Sequence, residues 1–125
     1  MTGRPVRVLL VEDNEVYRST LSLLLHGRDG IEVIGELADG SEVVRAVVEL
    51  APDVVVIDYR LPGLQGDEVT ASLLQAIPSV AVVCLTAEAT AEERTLVLTA
   101  GAAALLEKGC PTAEIVEAIR SAATI

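Results

Sequence analysis

Short, β-branched, continuously apolar runs alternate with longer segments of helical periodicity, and the alternation repeats five times along the 125-residue chain. Strands are expected at residues 6–11, 32–37, 53–57, 80–85 and 103–106. Three of these (Val8-Leu9-Leu10-Val11, Val54-Val55-Val56-Ile57 and Val80-Ala81-Val82-Val83) have no polar face. Strands of that kind are covered on both sides, as in a parallel sheet with helices above and below. Tyr17, Leu21, Leu24 and Leu25 define one helical stripe, and Val69, Leu73, Ala76 and Ile77 another. A helix opened by Ser41 carries Val43, Val47 and Leu50, and the last helix buries Ile115, Val116 and Ile119. The fourth, over 91–100, has no clean stripe; Thr90-Ala91-Glu92-Glu93 reads as its cap and acidic first turn. Short connections and the absence of any linker or repeat predict a single α/β domain over 1–125, a doubly wound (βα)5 sandwich.

Composition narrows the function. At 51% hydrophobic and 22% charged residues the chain is expected to fold as a globule. Nine basic against nineteen acidic residues leave a net charge of −10, which disfavours direct binding to nucleic acid or to an anionic membrane. No apolar run reaches the ~18 residues of a membrane span. Cys84 and Cys110, far apart in sequence, are expected to be reduced thiols of a cytoplasmic protein.

Ligands of doubly wound sheets sit at the carboxyl ends of the strands. Those ends carry Glu12-Asp13-Asn14, Asp58, Thr86-Ala87 and Glu107-Lys108-Gly109. Like charges at about 4 Å repel by roughly 4 kcal/mol at an effective dielectric of 20, so clustered acids demand a cation. Three carboxylates form a hard, oxygen-only site suited to Mg²⁺ or Mn²⁺. A metal site alone gives Lys108 and Thr86 no role. A phosphoryl group does, by bridging the cation and Lys108 and accepting a hydrogen bond from the Thr86 hydroxyl. Lys108 is the only lysine beside eight arginines, which fits a need for a compact point charge. Taken singly, each residue has a plainer reading. Asp13 or Asn14 caps the first helix, Asp58 opens a turn, Thr86 ends a strand and Lys108 is solvated. Convergence on four strand ends favours the shared site. His26 is expected at the exposed end of the first helix, Tyr17 in the core, and Tyr59 on the rim of the site.

The constellation resembles the receiver domain of bacterial two-component response regulators. The resemblance rests on Glu12-Asp13, on Asp58-Tyr59-Arg60-Leu61-Pro62-Gly63-Leu64-Gln65-Gly66, and on Thr86-Ala87, Gly101-Ala102 and Lys108. The stretch from Gly101 to Lys108 and the Ala118-Ile119-Arg120 ending are most similar to NarL/FixJ-type receivers, which often precede a helix-turn-helix DNA-binding domain. The resemblance implies a flavodoxin-like sheet of order 2-1-3-4-5. It implies Asp58 as the acceptor of a phosphoryl group from a sensor histidine kinase or phosphotransfer protein. It also implies that Asp13, Asp58 and the Arg60 backbone carbonyl hold Mg²⁺ (or Mn²⁺), with Glu12 acting through water. Lys108, Thr86 and the Ala87 backbone N–H would contact the phosphoryl oxygens. Arg60 and Glu88 would border the path of hydrolytic water and could pair with each other. The signalling surface, for an output domain, a partner or a second copy, would be the fourth helix, fifth strand and last helix.

Two positions depart from the family pattern. Leu105 stands where receivers commonly carry Tyr or Phe, and Gly109 replaces the Pro that often follows the lysine. A haloacid-dehalogenase-type phosphatase would need Asp where Arg60 stands, and a flavin phosphate would be repelled by Glu12-Asp13. A pseudo-receiver that signals by contacts alone is the remaining alternative to a phosphoacceptor, which is expected not to be an enzyme beyond its own phosphorylation and dephosphorylation.

Overall fold

The computed structural model describes residues 3–123; the first and last two residues of the expected 1–125 unit lie outside them. Strands β1 (Val6–Val11), β2 (Ile31–Leu37), β3 (Val54–Asp58), β4 (Ala81–Thr86) and β5 (Ala104–Glu107) form a five-stranded parallel sheet of order 2-1-3-4-5. Helices α1 (Glu15–Leu25), α2 (Val43–Leu50), α3 (Gly66–Ala76), α4 (Ala91–Thr99) and α5 (Thr112–Ala123) connect and cover them. The architecture is the expected α/β flavodoxin-like one.

Side chains alternate along each strand, and the alternation makes two cores. Leu9, Val11, Val55, Ile57, Val82 and Cys84 pack with Val43, Val47, Leu73 and Val97 of α2, α3 and α4. Their neighbours Val8, Leu10, Val54, Val56, Val83 and Leu85 pack with Leu21, Leu25, Ile115 and Ile119 of α1 and α5. Truncating one fully buried leucine here, Leu9 for example, removes about 2–5 kcal/mol.

Several details differ from the sequence expectation. Asp58 and Thr86 belong to the strands, because their backbones still pair with Leu85 and Glu107. Ile31 begins β2 one residue early, opposite Val6. Ser41 does not open α2. Asp39 instead caps a 3-10 turn over Gly40–Glu42 by accepting the Ser41 N–H at 2.8 Å, and the α-helix starts at Val43. Residues after Asp58 form a small antiparallel hairpin, Arg60–Leu61 against Leu64–Gln65, turned by Pro62-Gly63 with Gly63 at φ 75°. Gln65 and Glu68 then close a capping box on α3. Leu24 and Ala76, expected on apolar stripes, are exposed, so the buried stripes of α1 and α3 are narrower than their sequence pattern.

Candidate functional site at the carboxyl edge of the sheet

The neighbouring strands β1 and β3 bring Glu12 and Asp58 together at the carboxyl edge, with Asp13 beside them. Each of the three offers a carboxylate oxygen, and these oxygens lie within 4.8 Å of one another. Glu12 and Asp58 are buried and Asp13 is exposed, so the cluster opens to solvent through Asp13. An all-carboxylate set of this size fits a hard divalent ion such as Mg²⁺ or Mn²⁺.

Every oxygen of the two buried acids has a donor. Glu12 Oε2 accepts the Asn14 N–H at 3.0 Å, and Asp58 Oδ1 accepts the Arg60 N–H at 3.1 Å. The remaining pair is spanned by Lys108, whose ammonium lies 2.8 Å from Glu12 Oε1 and 3.1 Å from Asp58 Oδ2. Burial pushes the Glu12 carboxyl above its usual range; the Lys108 hydrogen bond pulls against this and the Asp58 charge adds to it. Burial works to lower the Lys108 pKa, but its hydrogen bonds to Glu12 and Asp58 outweigh that and hold it above the usual value. Lys108 thus supplies one positive charge to a cluster of three carboxylates. Asn14, and not Asp13, caps α1, accepting the Tyr17 N–H at 2.8 Å. That leaves the Asp13 carboxylate facing the cluster.

On the far side of Asp58, Thr86 ends β4 with its side chain buried, and Ala87 follows in an exposed loop. The Lys108 N–H donates to the Thr86 carbonyl at 2.8 Å, so these two residues sit on one backbone ladder. Sites expected from four strand ends thus do meet at one edge.

A family model described as the response regulator receiver domain matches residues 8–120. The chain belongs to the response regulator receiver family. It is 40% identical over 117 residues to the transcriptional regulatory protein LiaR of Bacillus subtilis, covering 94% of this chain and 56% of that protein. It is 39% identical over 115 residues to the response regulator GacA of Pseudomonas viridiflava, covering 92% and 54% respectively. This receiver therefore spans about half the length of the curated relatives it matches. Among solved structures it is similar to the signal receiver domain of NarL from Mycobacterium tuberculosis, with TM-score 0.89, 29% identity and 97% and 98% of the two chains covered. A LuxR-family two-component response regulator from Aurantimonas matches with TM-score 0.89 at 32% identity, covering 94% of this chain and 84% of that one.

Against the receiver pattern, three expectations need correction. Arg60 does not pair with Glu88, which stands in the exposed loop after β4; its guanidinium pairs with Glu93 of α4. Tyr59 is not on the rim. It is 2% exposed, packed where Gly66 has no side chain, since a Cβ there would lie 3.0 Å from the Tyr59 ring. Tyr17 is half-buried rather than in the core, and its ring lies 4.8 Å from the Lys108 ammonium, a cation–π distance. The two tyrosines have exchanged places. Tyr17 lies four residues past Asp13, one turn into the helix that leaves the pocket, which is the signal its stripe of leucines obscured. His26 is exposed just after α1, as expected, with Nδ1 accepting the Val33 N–H at 3.0 Å. Leu105, in the position of the family's aromatic, is buried in the core.

The sequence reading placed Glu93 only in the acidic first turn of the fourth helix and missed its role at the site. It is 6% exposed, and its carboxylate accepts the Thr86 hydroxyl at 3.2 Å while also holding Arg60.

Proposed function

We propose that residues 1–125 form one phosphoacceptor domain of a two-component pathway. Asp58 takes a phosphoryl group from the phosphohistidine of a sensor kinase or phosphotransfer protein. A carboxylate oxygen of Asp58 attacks phosphorus as the P–N bond breaks. The electron pair of that bond stays on the histidine nitrogen, and an acyl phosphate is left on Asp58. Hydrolysis returns Asp58 and inorganic phosphate. The observation that carries this reading is the Lys108 bridge between Glu12 and Asp58 beside Asp13, a cation held ready on the acceptor itself.

In this reading Asp13, Asp58 and the Arg60 backbone carbonyl would hold Mg²⁺ (or Mn²⁺), and Glu12 would act on it through water. A bound divalent ion would neutralise the approaching phosphoryl oxygens. Lys108 pairs with those oxygens from one side, and the Thr86 hydroxyl and Ala87 N–H receive them on the other. Up to two added negative charges at Asp58 favour a conformation in which Thr86 moves toward the phosphoryl group, changing the surface of α4, β5 and α5. That surface serves a second copy, a partner, or an output domain. The relatives LiaR and GacA are named as regulators, and control of transcription is the output proposed here. The domain is a signalling acceptor rather than an enzyme acting on other substrates. Two free thiols and the lack, among the described residues, of a helix long and apolar enough to cross a membrane fit a cytoplasmic site of action.

Incubation with Mg²⁺ and acetyl phosphate followed by intact mass spectrometry tests the reading. One phosphoryl adduct is expected on the native chain and none on Asp58→Ala. An equal adduct on both proteins would overturn it.

A further inference from the structure

Glu93 is a buried carboxylate that the phosphoacceptor chemistry does not use. Burying a charge is costly unless it is paired, and Glu93 is paired on every side. Oε1 accepts the Thr86 hydroxyl at 3.2 Å, Oε2 holds the Arg60 guanidinium, and its own N–H donates to the Thr90 hydroxyl at 3.1 Å. Two of these partners flank Asp58: Thr86 on the neighbouring strand, and Arg60 two residues on, whose N–H donates to Asp58 Oδ1. A threonine hydroxyl has a single proton to donate. While Glu93 accepts it, a phosphoryl group on Asp58 cannot.

We propose that Glu93 is a positioning residue: the competing acceptor that holds the Thr86 hydroxyl in the unphosphorylated protein. Phosphorylation transfers that donation from Glu93 to the phosphoryl oxygen. The inference rests on the function proposed above and adds the route by which the site is read. Glu93 lies in the first turn of α4, which Thr90 caps. Losing the Thr86 bond therefore changes the tether of that turn directly. The signal reaches the α4 surface without an aromatic on β5, where this chain has Leu105. The structure thus supplies a path at the point where the sequence departs from its family.

The test is a titration with beryllofluoride and Mg²⁺, followed by backbone NMR, on four proteins: wild type, Glu93→Gln, Thr86→Ala and the double variant. An amide accepts a hydrogen bond less strongly than a carboxylate, so Glu93→Gln is expected to bind about five-fold tighter than wild type. In the Thr86→Ala background the same substitution is expected to change affinity less than about two-fold, because the competed proton is gone. An equal gain in both backgrounds would mean that removing negative charge acts on the anion directly, and it would overturn the proposal. So would no gain at all. The Thr86 χ1 couplings of the unphosphorylated protein give a readout independent of the anion. One rotamer is expected in wild type and averaging in Glu93→Gln; averaging in both would overturn the proposal. Wild type failing to bind beryllofluoride would defeat the proposed function, while the couplings would still decide whether Glu93 holds Thr86. Should the amide variant not fold, Glu93→Asp, one methylene shorter, is expected to release Thr86 in the same way.

Discussion

The Lys108 ammonium sits closer to Glu12, at 2.8 Å, than to Asp58, at 3.1 Å. Its nearest partner is thus Glu12, the buried acid beside Asp58. Lys108→Ala would leave two buried carboxylates without their cation, at a cost of about 1–3 kcal/mol in urea unfolding without Mg²⁺. Saturating Mg²⁺ should stabilise the variant more than the wild type, because the ion replaces the missing charge. Equal Mg²⁺ stabilisation of the two proteins would contradict the shared-charge account.

Alkaline pH should expose the burial of Tyr59. Burial first, and then the neighbouring Asp67 carboxylate, push its phenol up to about 12. The folded pKa exceeds the unfolded one of about 10, so the folded state holds this proton more tightly. The resulting stability is intact below about pH 10 and is lost as pH rises through about 12. Tyr17 is also shifted upward, chiefly by burial. Tyrosinate absorbance is therefore expected to lag behind that of unfolded protein, and a native titration centred near pH 10 for both rings would refute this.

The two thiols should differ in reactivity. Cys84 is fully buried, and its thiol is pushed up to about 12, first by burial and then by the charge of Asp58. Cys110 is half-buried. A disulfide reagent at mildly alkaline pH should label Cys110 alone in the native protein and both residues in denaturant. Rapid double labelling of folded protein would show that the core opens more readily than its packing implies.

Two glycines flanking the same strand should respond unequally to alanine. Gly101 holds φ at 112°, and a Cβ there would lie 2.6 Å from Leu74 Cδ1. Gly101→Ala is expected to cost about 1–3 kcal/mol. Gly109, which follows Lys108, has no left-handed φ and nothing within 4 Å of its added Cβ. Gly109→Ala should stay within about 0.5 kcal/mol of wild type by thermal or urea unfolding.

The sheet was legible because Val8–Val11 and Val54–Ile57 have no polar face, and only a twice-covered strand accepts such a run. Glu12, Asp13, Asp58 and Lys108 were legible for a related reason: polar residues that end apolar strands share one edge. Glu93 was not. It occupies a core-facing turn of α4 with Val97 four residues on, but a charged residue in a helix without a clear stripe reads as solvated. Its burial depends on Thr86 and Arg60 arriving from other elements. The tyrosines were misplaced because an aromatic follows the space available to it, and the space for Tyr59 is created by Gly66, seven residues away in sequence.

The hydrogen bond from the Lys108 N–H to the Thr86 carbonyl holds the two backbones that carry these side chains at ordinary strand spacing, about 4.8 Å. If the proposed function holds, substitutions on the helices would change how the site is read while the backbone scaffold of Thr86 and Lys108 stays in place.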